Sequence, residues 1–196
     1  MRKLHFFSQQ PTNSAVIDSA TGNVLYEFFT TDATADTSKQ HGLGGERVKV
    51  TTMWNAQRQV VALYTHGASS KEEVTYSGQT RSVDDWLLWS SKPAPTESTG
   101  TSRECQFVLP DGKKYKWTYH KDDTRDRRFS IFPSDQTTTY ELFECETGQF
   151  LANGYRPQRG GLFACTKKLK LDVMADGETM LDAIVLTFVL CVCKPL

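Results

Sequence analysis

Lysine and arginine side chains recur in short clusters along the second half of this chain. The clusters are Lys113, Lys114 and Lys116; Arg125, Arg127 and Arg128; Arg156 and Arg159; and Lys167, Lys168 and Lys170. Cationic groups at this density can bind phosphate-bearing anions if the fold gathers them on one rim. Alternatively, each cationic side chain lies on the outer face of a strand and protects the edge of the sheet from aggregation. The candidate ligand-binding residues are Lys114, Lys116, Arg125, Arg127, Arg128, Lys168 and Lys170.

Residues with catalytic or metal-binding chemistry are scattered along the chain. None of the four histidines has a cysteine or histidine partner at the short spacings that are typical of zinc sites. The sequence contains no Gly-x-Ser-x-Gly motif of the kind that presents a nucleophilic serine. We therefore predict no catalytic residues, no metal and no cofactor. An enzyme would need a site that the fold assembles from separated residues, such as His120, Arg128, Glu141 and Glu144.

The elements that must position these residues belong to one domain, residues 1–196. Lysine plus arginine and aspartate plus glutamate both number 23, so the net charge is zero and no global field favours nucleic acid. Five cysteines in an unpaired pattern indicate reduced thiols and a cytoplasmic protein. Polar, turn-forming residues predict flexible loops near 30–45 and 90–102.

Turn signals flanked by β-rich sequence predict four hairpins. Their turns lie at Thr21–Asn23, Asn55–Arg58, Pro110–Gly112 and Cys145–Gly148. Further strands are predicted at 129–132 and 162–174, and one short helix or turn is predicted at 82–89. The fold class is therefore mainly β.

The chain ends in an apolar run from Ala183 to Cys193, preceded by the acidic helix-start residues Glu178 and Asp182. The run is too short to span a bilayer as a helix, which takes roughly 20 residues. Its length favours a helix, whereas its β-branched composition favours a buried strand. We predict the helix, enclosed by the sheet, because a segment that is apolar on every side must be buried on every side.

Several of these segments resemble a fungal domain family of unknown function. They are residues 82–87, the arm from Lys114 to Trp117, the strand from Glu141 to Glu144, and the closing run from Leu181 to Val189. That family is similar to the superfamily of Tubby C-terminal domains, phospholipid scramblases and plant LURP-one proteins. The resemblance covers Ala15 to Lys194. It implies a closed or nearly closed antiparallel β-barrel of about twelve strands around a hydrophobic C-terminal helix.

The resemblance also implies a class of ligand. Tubby domains bind phosphoinositide head groups through a lysine and an arginine two positions apart on a strand. Here the pairs Lys114 and Lys116, and Lys168 and Lys170, have that spacing, with lysine in the place of arginine. The calcium-binding stretch and lipidated cysteines of scramblases are not found in this sequence.

The functional expectation is a non-enzymatic cytosolic binding module. We expect its ligand to be an anionic lipid or phosphoinositide head group at a basic rim, which would place the protein at a membrane surface without a transmembrane segment. The alternative is a protein interaction or regulatory module that acts through an exposed aromatic edge or the 90–102 loop. An enzyme with an assembled site is the third hypothesis.

Overall fold

The computed structural model describes residues 1–34, 47–67, 71–91, 102–121, 137–157 and 168–194. Within them the backbone forms one antiparallel sheet of thirteen strands and two α-helices. The strands are β1 (Arg2–Phe6), β2 (Ser14–Asp18), β3 (Val24–Thr34), β4 (Arg47–Asn55), β5 (Val60–Gly67), β6 (Glu73–Tyr76), β7 (Gln79–Ser82), β8 (Leu88–Ser91), β9 (Ser102–Val108), β10 (Lys114–Lys121), β11 (Thr137–Glu144), β12 (Phe150–Pro157) and β13 (Lys170–Val173). The helices are α1 (Val83–Trp86) and α2 (Leu181–Cys193), and short 3-10 segments cover Pro11–Asn13 and Ala175–Met180.

All four predicted hairpins are confirmed. They are β2 with β3, β4 with β5, β9 with β10, and β11 with β12. The turn after β9 depends on Gly112, whose φ of +82° lies in the left-handed region that glycine adopts without a steric penalty. Strand β1 and the hairpin of β6 and β7 were not predicted from the sequence.

The predicted C-terminal helix is confirmed as α2. Its residues from Ala183 to Val192 are almost completely buried on every side. Phe188 lies at the centre, with its ring centroid 5.9 Å from that of Phe6, 5.7 Å from that of Trp117 and 5.5 Å from that of Tyr140. The one polar side chain in this stretch, Thr187, accepts a hydrogen bond from Trp117 Nε1 at 3.0 Å. The helix therefore forms the core on which the sheet packs.

The sheet order explains how distant parts of the chain meet. It runs β7, β6, β5, β4, β3, β2, β1, β13, β12, β11, β10, β9, β8, so the first and last strands of the chain are neighbours in the middle. Its outermost strands, β7 and β8, follow one another in sequence and are joined by α1. They are not hydrogen-bonded to each other in the part of the chain that the structure describes. The predicted antiparallel sheet is therefore confirmed, with thirteen strands instead of about twelve. Closure of this sheet into a barrel is not confirmed.

Other predicted elements are met in part. The short helix is present as α1, and Trp89 belongs to β8 instead. Of the predicted strand at 162–174, β13 covers Lys170–Val173. Strand β3 continues through Thr30 to Thr34, the start of the predicted 30–45 loop. Residues 35–46, 92–101, 129–132 and 158–167 lie outside the described residues. No helix in the described ranges is both long and apolar enough to cross a membrane.

Candidate anion-binding groove

A groove with a volume of about 720 Å³ lies on the outer face of the sheet, over β1, β13 and the end of β12. Most of its lining surface is apolar, and the described residues that line it are Lys3, Leu4, His5, Ser19, Tyr155, Pro157, Lys168, Lys170 and Asp172. Three lysines and one histidine therefore converge on one surface concavity, with one aspartate among them.

Strand register places these side chains together. Alternate residues of a strand point to opposite faces, so Leu4 and Phe6 enter the core while Lys3 and His5 point outward. In the neighbouring strand Lys170 lies opposite His5, and Asp172 lies opposite Lys3. On the far side of β13, Tyr155 of β12 lies opposite Lys170. The groove is thus built on a central part of the sheet.

Carboxylates of the described residues do not neutralise the positive charge of the groove. Across the described ranges, Lys3, Lys168 and Lys170 have no carboxylate within ion-pair distance. The ammonium of Lys168 instead lies 5.3 Å from the centre of the Phe7 ring, a cation–π contact at the end of β1. Three lysines against Asp172 leave a formal charge of about +2 on the groove, which attracts anions.

His5 is held in its neutral form by its surroundings. Partial burial, with smaller effects from the positive charges of Lys168 and Lys170, lowers the pKa of His5 below its ordinary value. Its Nδ1 is 3.0 Å from the hydroxyl oxygen of Ser19, which fixes the ring in the groove wall. An anion between the lysines and the imidazole would remove part of the electrostatic cause of this shift.

Tyr155 is positioned as a hydrogen-bond donor. Asn153 Nδ2 donates to the phenolic oxygen of Tyr155 at 2.7 Å. The oxygen of Tyr155 is then already an acceptor, so its own hydrogen remains available for a ligand in the groove. The groove can therefore offer ammonium, imidazole and phenol donors to one bound oxyanion.

The other predicted lysine pair has a different environment. Lys116 Nζ is 3.1 Å from Glu104 Oε1, and the adjacent Lys113 Nζ is 2.9 Å from Glu144 Oε1. Lys114 is exposed at the start of β10. Strand β10 is three strands from β13, a separation of roughly 14 Å across the sheet at about 4.8 Å per strand. The structure therefore brings Lys168 and Lys170 to the groove and does not bring Lys114 and Lys116 there.

The remaining predicted residues do not join the groove. Arg125, Arg127 and Arg128 lie outside the described residues. Of the residues considered for an assembled catalytic site, His120 Nε2 and Glu141 Oε2 are 3.6 Å apart on an exposed face. Glu144 instead pairs with Lys113, three positions further along β11 from Glu141. In the described ranges, no group of three or more histidine, cysteine or acidic side chains is arranged to hold a metal ion.

Sequence reasoning did not select Lys3, His5, Ser19, Tyr155 and Asp172. The alternation of Lys3 and His5 with the apolar Leu4 and Phe6 indicates a strand, and this signal was present in the sequence. Nothing in the sequence showed that this strand pairs with β13, since 165 positions separate His5 from Lys170.

Comparison with known proteins identifies a family. The model of a family described as a family of unknown function (DUF6593) matches residues 9–194. No curated protein and no solved structure matches the chain. These comparisons therefore add no link to Tubby domains, scramblases or fungal proteins.

Proposed function

Because this chain belongs to the DUF6593 family, whose function is unknown, we propose its function from the groove: a non-enzymatic cytosolic module that binds a phosphate-bearing anionic lipid head group. The observation that carries the proposal is the convergence of Lys3, Lys168 and Lys170 on one groove without ion-pair partners in the described ranges. Lysine is a common ligand of phosphate groups, which it binds as a point charge. The groove volume lies in the range of small-molecule binding sites, about 300–1,000 Å³.

The surface beside the groove supports a lipid as the source of the phosphate. Phe7 follows β1 directly and is 68% exposed, next to the ammonium of Lys168. An exposed aromatic ring beside cationic side chains is typical of proteins that bind at a bilayer interface. The Tubby resemblance points to the same ligand class.

The fold part of the proposal is that the sheet curls around α2 as a nearly closed barrel. A helix that is buried on all sides needs cover from every direction. Contacts of α1 with β7, β8 and β9 support this curvature, since α1 spans the gap between the two outermost strands. The interior is then filled by α2, which leaves ligand binding to the outer surface.

The experiment compares vesicle binding by two double variants. Wild type is sedimented with phosphatidylcholine vesicles that contain phosphatidylserine or a phosphoinositide, at low and at high salt. Replacing Lys168 and Lys170 with alanine should weaken binding by about thirtyfold, because each lysine near an anionic surface contributes about 1 kcal/mol. The matched control, Lys114→Ala with Lys116→Ala, removes the same charge and should stay within about twofold of wild type.

Two results would contradict the proposal. One is the absence of salt-sensitive binding to any anionic vesicle. The other is an equal loss in both double variants, which would show that total charge and not the groove determines binding. Circular dichroism of each variant confirms that the fold is retained.

A protein interaction module is the second candidate function, and the outermost strands favour it. Within the described residues β7 and β8 each lack a partner strand on one side, and Leu88 on β8 is 58% exposed. Unpaired strands can accept an extended peptide. Peptides selected on the folded protein should lose binding to the Leu88→Lys variant, and peptides that are indifferent to it would count against this candidate.

A further inference from the structure

Among the described residues, Asp172 is the one carboxylate that lines the groove. It lies in the middle of β13, opposite Lys3 on one side and Asn153 on the other. Its side chain is half-buried, and within the described parts of the chain it forms neither an ion pair nor a hydrogen bond. The carboxylate therefore does not serve to hold any of the three lysines in place.

An unpaired carboxylate weakens the binding of a simple anion. It repels phosphate oxygens at close range, and an ionised carboxylate has only acceptors to offer. It strengthens binding only for a ligand that brings a hydrogen-bond donor to it. A hydroxyl on a carbon near the phosphate supplies such a donor, and a hydrogen bond to a charged acceptor is stronger than one between neutral groups.

The other side of the groove has the complementary chemistry. Lys170 lies between His5 and Tyr155, so these three donors are grouped one residue pair along the sheet from Asp172, whereas Lys3 lies opposite Asp172. Residue pairs that share a face are spaced roughly 7 Å apart along a strand. This separation matches a ring whose phosphate and hydroxyl substituents are on opposite carbons.

We propose that Asp172 determines the specificity of the groove by accepting a hydrogen bond from a ligand hydroxyl, so that the groove selects phosphate esters of polyols. Anions that carry phosphate without hydroxyl groups are disfavoured. This inference rests on the proposed function and specifies which phosphate-bearing ligands the groove accepts.

The test uses two soluble anions of similar charge, inositol 1,4,5-trisphosphate and tripolyphosphate, of which only the first has hydroxyl groups on carbon. Calorimetric titration should show that Asp172→Ala changes the two affinities in opposite directions relative to wild type. Affinity for the inositol phosphate should fall about tenfold, the size of one hydrogen bond to a charged group. Affinity for tripolyphosphate should rise severalfold because the repulsion is removed.

The control variant is Glu73→Ala, which removes one exposed carboxylate from β6, far from the groove. It should change neither affinity by more than about twofold, since exposed charges beyond a Debye length are screened. If Asp172→Ala binds both anions more tightly, Asp172 is only a repulsive charge and the inference is overturned, while the proposed function stands. If wild type binds neither anion nor anionic vesicles, the proposed function fails and the inference fails with it.

Discussion

Charge compensation separates the lysines of this protein into two kinds. Lys113 and Lys116 each lie within about 3 Å of a glutamate oxygen. Each ion pair reduces the positive electrostatic potential of its lysine at the protein surface. Lys168 and Lys170 have no such partner among the described residues. A net charge of zero over the chain therefore conceals a local positive site, because most of the carboxylates lie elsewhere in the chain.

His5 gives the groove a predicted pH dependence. Its pKa in the free protein is lowered, so the imidazole is neutral at pH 7 and its protonation opposes folding as the pH falls below about 6.5. A bound phosphate stabilises the imidazolium and raises the pKa of His5, so ligand binding takes up a proton. We expect binding to strengthen from pH 7.5 to 5.5 by about threefold more in wild type than in His5→Gln.

Titration calorimetry in buffers of different ionisation enthalpy measures this proton uptake directly. The His5→Gln variant is the control for protonation of the ligand itself, since it keeps a polar side chain at the same position. Identical pH profiles for the two proteins would contradict the prediction.

At the scale of elements, close contact between β12 and α2 fixes the position of the helix. Gly154 lies directly beneath the Phe188 ring, and a Cβ atom at this position would be 2.7 Å from Cζ of Phe188. Position 154 therefore requires glycine, because the Phe188 ring leaves no space for a side chain there. The neighbouring residue Tyr155 lines the groove, so the same strand connects the core with the binding surface.

Gly154→Ala should destabilise the protein by about 2 kcal/mol, because the added methyl group overpacks the core. Phe188→Leu should recover part of this loss in the double variant, since the smaller side chain makes room for the methyl group. Urea denaturation of the two single variants and the double variant measures the coupling. Strictly additive losses would show that Gly154 is required for a reason other than Phe188.

At the scale of the whole molecule, α2 holds distant parts of the sheet together. Phe188 contacts Phe6 of β1 and Tyr140 of β11, while Tyr26 of β3 donates to Asp182 at 2.5 Å. At the other end of the helix, Lys194 forms ion pairs with Asp84 of α1 and with Glu72, which precedes β6. The two halves of the sheet are therefore packed on one shared core element.

Val185→Asp should abolish folding of the entire domain. Val185 is completely buried, and burial of an unpaired charge costs more than the net stability of a typical domain. Val60→Asp is the matched control, because Val60 is 57% exposed and should tolerate the change. Circular dichroism and gel filtration distinguish the two outcomes. A folded, soluble protein after the deletion of residues 181–196 would contradict the role given to α2.

Much of the fold could be predicted from local patterns. The turn at Pro110–Gly112 and the alternation of Lys114, Tyr115, Lys116 and Trp117 were sufficient to identify a hairpin, because turn geometry and side-chain period are local properties. Sheet closure could not be predicted in the same way. Whether β7 and β8 pair depends on the accumulated twist and curvature of eleven other strands.

The candidate site was predictable only in part. Lys168 and Lys170 were selected because they are basic, but Lys114 and Lys116 met the same criterion. The two lysine pairs differ in ion pairing, because Glu104 on the neighbouring strand β9 forms an ion pair with Lys116. A charge on an adjacent strand is invisible to a search along the sequence.

The sequence by itself determined four hairpins, the mainly β class and a C-terminal helix that is apolar on every side, since propensity, turn chemistry and periodicity operate over a few residues. Only the tertiary structure decided that β1 pairs with β13, and hence that Lys3 and His5 meet Lys168, Lys170 and Asp172. Strand pairing between the two ends of a chain is set by how the whole sheet packs on α2. The groove is therefore a consequence of the assembled core.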